Sequence, residues 1–157
     1  MSLLASTFKS PIGSLNLLAD DQILIGANLS TIAAFKAGAD VKVVKSIPVI
    51  SDLISDYFDG DLTALNGIQV RQPGAAFSQA AWKAMRKVPP GKALSYADLA
   101  TKAGSPAAVR AAGSACANNA IMLVVPCHRI VKTGGALGNY AYGVDKKQWL
   151  LSHEGFL

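Results

Sequence analysis

The chain has 157 residues, 51% hydrophobic and 16% charged, which suffices for the core of one ordinary domain or two small ones and excludes a disordered chain. No apolar stretch approaches the roughly 20 residues that a membrane-spanning helix needs, and the start, Met1 to Ser6, lacks the basic region and apolar core of a secretory signal. The expectation is a soluble intracellular protein, cytoplasmic, or nuclear in a eukaryote. Net charge is +5 but unevenly placed: residues 1–70 carry four Lys/Arg against seven Asp/Glu, residues 71–157 eleven against three. A basic half points to a polyanion, nucleic acid first, with a merely solubilising surface as the alternative.

In chain order, Phe8 to Pro11 leads through Gly13-Ser14 into Leu15–Leu18, a hairpin with its turn at Pro11-Ile12-Gly13. Asp20-Asp21 marks a second turn before the apolar Ile23-Leu24-Ile25. Residues 28–40 are ambiguous, and Val41–Val44 reads as another short strand. Ile50, Leu53, Ile54, Tyr57 and Phe58 fall at helical spacing, with Ser46 as the cap, Pro48 in the first turn and Gly60 as the stop. Residues 61–75, with Asn66-Gly67 and Pro73-Gly74, read as a turn-rich connection, so the expected domains are 1–74 and 75–157.

The second half reads as helical. Phe77, Ala80, Ala81, Ala84, Met85 and Val88 form an apolar stripe that Pro89-Pro90-Gly91 stops. Ser95-Tyr96-Ala97-Asp98 resembles a capping box that opens a short helix ended by Gly104. Ser105 then caps a further helix, with Pro106 at its first position, running to about Ala117. The pair fits a helix-turn-helix with Arg110 early in its second helix; an Ala-rich core pair is the alternative. Ile121–Val125 reads as a buried strand or extended segment, Thr133 to Tyr140 as a loop, and Lys146–Glu154 as a last helix capped by Asp145 and ended by Gly155.

Cys127 closes the buried run at Pro126-Cys127-His128-Arg129. A free thiol is mostly protonated at neutral pH, and the neighbouring His128 imidazole offers a base; a structural cysteine is the alternative. Glu154 lies at the wrong helix end for an anion, on the face of Leu150 and Leu151, so it calls for a cationic or donor partner such as an imidazole; an exposed Glu paired with Lys147 is the alternative. Cys116, Cys127, His128 and His153 lack zinc-ligand spacing, and no metal is expected.

These motifs, Val109-Arg110-Ala111, Asn118-Asn119, Pro126-Cys127-His128-Arg129-Ile130, Gly138-Asn139-Tyr140 and His153-Glu154-Gly155, closely resemble the O6-alkylguanine-DNA alkyltransferase family, from about Phe77 to Gly155. Ser10-Pro11-Ile12-Gly13 and Tyr57-Phe58-Asp59-Gly60 extend the likeness more loosely. The resemblance implies an α+β fold: a small antiparallel sheet with a helix, ribonuclease-H-like, followed by a mostly helical, winged-helix-like domain carrying the active site. It implies a single-turnover protein, monomeric and without a cofactor or a membrane partner. That protein binds double-stranded DNA through the minor groove, flips out O6-alkylguanine, with O4-alkylthymine a further candidate, and keeps the alkyl group on Cys127.

By the same resemblance, His128 deprotonates Cys127 through a water, Glu154 orients His128, and Asn119 braces the active-site turn. Arg110 fills the space of the flipped nucleotide, and Tyr96 pushes on the 3′ phosphate and lies near the guanine as a candidate proton donor. Ser95, Ser105, Ala108 and Thr133 join them at the DNA, while Pro126, Tyr140, Ala141 and Tyr142 shape the substrate pocket. Ala141-Tyr142 departs from the small hydroxyl residue and glycine of many members, which bears on substrate size. The N-terminal half has no Cys or His for the structural metal some relatives hold. Three rival readings remain: a lesion-binding protein on the same scaffold, a cysteine hydrolase using Cys127, His128 and Glu154, and a plain helix-turn-helix module.

Overall fold

A computed structural model describes residues 3–157; Met1 and Ser2, part of the start read for a leader, lie outside the described residues. The chain forms two compact units. One takes the residues through Gln72 together with Ala120–Val124, and the other Pro73–Asn119 with Val125–Leu157. The chain thus revisits its first unit for five residues just before Cys127, a return that a single boundary does not describe.

The first unit is a five-stranded sheet with one α-helix. Strands β1 (Leu3–Ser10) and β2 (Gly13–Asp20) form the expected hairpin. Gly13 has φ +120°, which L side chains rarely adopt, and the Ser10 hydroxyl donates to its carbonyl at 2.7 Å. Strand β3 (Ile23–Asn28) follows the Asp20-Asp21 turn. The short edge strands β4 (Val41–Val43) and β5 (Gln69–Val70) run parallel to β1 and β3, giving the order β4-β1-β2-β3-β5. The sheet is therefore mixed rather than antiparallel, because each edge strand arrives by a crossover and not by a hairpin.

Helix α1 (Ile50–Phe58) buries Ile50, Ile54 and Tyr57. Ser46 does not cap it. Val49 stands at the N-cap position with φ 68°, and it is the Ser51 hydroxyl that accepts the Ile47 N–H, at 2.8 Å. Between α1 and β5 the connection contains a 3-10 turn at Ala64–Gly67.

Residues 121–125 are buried as expected but do not form a strand. Ile121 makes one parallel bridge to Ala27, and Leu123, at φ 74°, turns the chain left-handed and stops extension. The Ala120 N–H is held by Gln72 Oε1 at 2.8 Å.

The second unit holds α2 (Ala76–Arg86), β6 (Leu94–Ser95), α3 (Tyr96–Lys102), α4 (Val109–Ala117), β7 (Ile130–Val131) and α5 (Val144–His153). The Trp82 indole on α2 donates to the Ala115 carbonyl on α4 at 2.9 Å. Ser95 and Asp98 form the expected reciprocal capping box of α3, and Gly104 follows that helix with φ +99°. Strand β6 pairs in parallel with β7, so the start of α3 is tied to the chain just beyond Cys127.

Two expected caps are displaced. The Ser105 carbonyl accepts the Ala108 N–H in a turn around Pro106, and α4 begins at Val109 without a side-chain cap. Helix α5 starts after Gly143 rather than at Asp145, which lies in its first turn. Gly143 has φ +104°, and an added Cβ would fall 2.6 Å from Asp145 Oδ1, so the carboxylate packs where a side chain would stand.

Candidate active site

Cys127 opens a 3-10 turn, Cys127–Arg129, the three residues before β7. Cys127 is 8% exposed and lines a cavity of about 520 Å³. Tyr96 of α3, Arg110, Gly113 and Cys116 of α4, and Lys132, Asn139, Tyr140 and Ala141 of the loop after β7 share that wall. Five sequence-predicted residues, Cys127, Tyr96, Arg110, Tyr140 and Ala141, therefore meet in one hollow.

Behind the hollow lies an ion-paired relay. His128 is fully buried, with Nε2 2.8 Å from Glu154 Oε2. Glu154 also takes two bonds from Arg129, Nε to Oε1 at 2.8 Å and Nη2 to Oε2 at 3.0 Å, and Arg129 Nη1 donates to the Val88 carbonyl at 2.7 Å. Burial alone would raise the Glu154 carboxyl, but the hydrogen bonds from His128 and Arg129 and the Arg129 charge outweigh it and hold the carboxyl well below the usual carboxylate range.

An ionised carboxylate only accepts, so the proton of the neutral imidazole sits on Nε2 and the basic lone pair on Nδ1. Nδ1 is buried and has no hydrogen-bond partner among the described residues. Burial also lowers the His128 pKa below its ordinary value, against the pull of Glu154, so the resting ring is neutral and able to accept a proton.

The thiol is held from the other side. Asn119 Nδ2 donates to the Val125 carbonyl at 2.8 Å and approaches Cys127 Sγ at 3.5 Å. Burial pushes the Cys127 thiol up, while the Asn119 bond and the Lys147 charge pull it down. The second thiol, Cys116, is pushed up to about 12, chiefly by burial, which leaves it protonated and a weak nucleophile.

Other expected residues stand outside the wall. Pro126 is buried at the head of the turn, and Tyr142 packs edge-on to Tyr140 with ring centroids 5.9 Å apart. The Ser95 hydroxyl accepts the Asp98 N–H in its capping box at 3.0 Å. Ser105 and Ala108 belong to the turn before α4, and Thr133 is exposed beyond β7.

Sequence reasoning missed Arg129 as the second partner of Glu154 and missed Lys147. Lys147 is wholly buried; Nζ donates to the Ile130 carbonyl at 2.6 Å and the Asn139 carbonyl at 3.3 Å, and lies 6.0 Å from the Tyr96 ring centroid. Its position three and four residues before Leu150 and Leu151, and seven before Glu154, was the available signal, because that spacing puts all four on one helix face. Glu154 pairs with His128 and Arg129, not with Lys147.

A cysteine in a cavity wall beside a buried His-Glu-Arg network, on a unit with a helix pair and an excess of basic residues, defines a candidate cysteine site on a basic unit. The profile described as 6-O-methylguanine DNA methyltransferase, DNA binding domain, matches residues 76–156. A methylated-DNA–protein-cysteine methyltransferase of Shigella flexneri is 33% identical over all of this chain and 98% of its own length. One from Salmonella typhimurium is 43% identical over 69% of this chain, a match that spans 63% of that relative. The crystal structure of a Mycobacterium tuberculosis relative in complex with DNA superposes with TM-score 0.87 at 31% identity, covering 97% of this chain and 92% of the other. The chain belongs to the methylated-DNA–protein-cysteine methyltransferase family. Among its described residues, no helix is long and apolar enough to cross a membrane.

Proposed function

We propose that this protein repairs DNA by moving the alkyl group of O6-alkylguanine onto Cys127, once per chain. The observation that carries the reading is Cys127 in the wall of a cavity large enough for a purine, backed by the His128-Glu154-Arg129 network. The lesion lies inside the duplex, so the nucleotide must be rotated out at a cost of about a few kcal/mol. Arg110, exposed on the second residue of α4, fills the vacated stack from the minor groove, where Ala107, Ala108 and Ala111 allow close approach. Tyr96, at the start of α3 and in the cavity wall, presses on the 3′ phosphate. Ser95, Ser105, Ala108 and Thr133 supply neighbouring backbone contacts to the strand.

The thiol proton passes through one bridging water to His128 Nδ1, and the imidazolium is balanced by Glu154. The thiolate then attacks the alkyl carbon: the S–C bond forms as the C–O6 bond breaks, and the electron pair leaves with guanine, which takes a proton from the Tyr96 hydroxyl in the cavity wall. Lys147 adds a positive charge that favours the thiolate, though burial lowers its own pKa, and its bond to the Asn139 carbonyl holds the loop carrying Tyr140 and Ala141. Pro126 fixes the turn, and Tyr142 backs Tyr140. The product thioether has no hydrolytic route, so the reaction is stoichiometric.

This reading includes O4-alkylthymine as a second substrate, a ribonuclease-H-like first unit and a winged-helix-like second one. It assigns structural support to residues 1–74 and DNA binding with transfer to residues 75–157, in a monomer working where the DNA is, in the cytoplasm or a nucleus. Incubation with duplex carrying labelled O6-methylguanine tests it. Label bound one to one to the protein supports transfer, binding without label points to a lesion-binding protein or plain module, and ester turnover points to a hydrolase.

A further inference from the structure

A second cavity in the same unit, also about 520 Å³, lies between the C-terminal end of α2, the 87–94 turn and the end of α3. It shares no wall residue with the cavity of Cys127. Ala84, Val88 and Leu94 give it an apolar lining, and four exposed lysines, Lys83, Lys87, Lys92 and Lys102, surround it. No acidic residue is among its described lining residues.

Helix dipoles account for part of this pattern. Lys83 and Lys102 lie in the last turns of α2 and α3, where cations are favoured, and Lys87 follows α2 directly. That explanation leaves two things over. Lys92 is on a turn, and Lys83 and Lys87 stand four residues apart, a like-charge spacing that opposes folding. Four ammonium groups around an apolar hollow make a surface that matches a ligand with carboxylates on either side of an apolar side chain.

A nucleic-acid backbone meets only half of that description. It presents phosphates on a ridge and has no apolar group to fill the floor. We propose that this hollow docks an acidic peptide segment of a partner protein, one apolar side chain entering between Val88 and Leu94 while flanking carboxylates meet the four lysines. The site backs onto the relay: the Val88 carbonyl is the acceptor of Arg129 Nη1, and Leu94 pairs with Ile130.

The test pans a displayed library of random peptides of about eight residues against the full chain and against the Lys83→Glu/Lys87→Glu variant. Enrichment of sequences with two or more Asp/Glu beside Leu, Ile or Phe on the unmodified chain alone supports the site. The synthesised consensus should then bind roughly tenfold more weakly, or worse, to the double variant, and unchanged to Arg110→Ala. Lys83→Gln/Lys87→Gln, checked by thermal melting, serves if charge reversal harms folding. The proposal is overturned if no acidic-apolar consensus emerges or if the consensus ignores the lysine changes. It is also overturned if lesion-free duplex displaces the consensus peptide and moves the resonances of these lysines, which would make the hollow a phosphate contact.

Discussion

Glu154 Oε2 lies 2.8 Å from His128 Nε2 while Arg129 grips the same carboxylate with two nitrogens. The carboxylate therefore fixes which ring nitrogen carries the proton, and Arg129 keeps that carboxylate ionised. Losing the charge removes both effects. Glu154→Gln should leave Arg129 buried without its counter-ion at a cost of about 3–5 kcal/mol, visible as a large drop in the denaturant midpoint. It should also slow alkyl transfer by a factor well beyond any loss of folded protein. Unchanged stability with unchanged transfer would separate the relay from the chemistry.

Acid should destabilise the protein in two steps. The folded-state pKa values of His128 and Glu154 both lie below their ordinary 6.5 and 4.5, so on acidification the unfolded chain takes up protons that the folded chain refuses. Their contribution is complete above those ordinary values. It is lost as pH falls through about 6.5 for His128 and then below about 4.5 for Glu154, towards the lowered folded values. Urea midpoints measured across this range check it, and His128→Phe should remove the upper step.

The Cys127 thiol is pushed up by burial, so its reactive fraction grows with pH. Pseudo-first-order transfer from free O6-benzylguanine should rise from neutrality into the alkaline range. Lys147→Met removes a charge that favours the thiolate and should displace that profile to higher pH. A uniform fall in rate at every pH would instead indicate that Lys147 acts only by holding the Asn139 segment.

Arg110 lines the cavity but has no part in the relay. Arg110→Ala should slow repair in duplex by roughly ten- to thirtyfold, because part of the few kcal/mol needed for nucleotide rotation is no longer met. Reaction with the free base should stay within about twofold. Equal losses on both substrates would contradict a role at the vacated stack.

The elements legible in the sequence are those set by neighbouring residues. The Pro11-Ile12-Gly13 turn, the Ser95-Asp98 capping box and the 50–58 helix rest on short-range geometry and appear as read. Ser46, Ser105 and Asp145 have the right chemistry for caps but lose to backbone paths set elsewhere. The parallel edges of the sheet and the return of Ala120–Val124 depend on pairings distant in sequence, which no local periodicity encodes. At the site, Cys127, His128 and Glu154 stand out by type and place. Arg129 and Lys147 look like surface cations until burial reveals their partners.

Peptide mass mapping after a single exposure to duplex containing O6-methylguanine reads out which sulfur accepts the alkyl group. One methyl group per chain is expected, on the peptide containing Cys127, with none on Cys116 and none when Cys127→Ala is used. Methyl on Cys116, or an unmodified Cys127 peptide after the lesion has disappeared from the DNA, would contradict transfer to Cys127.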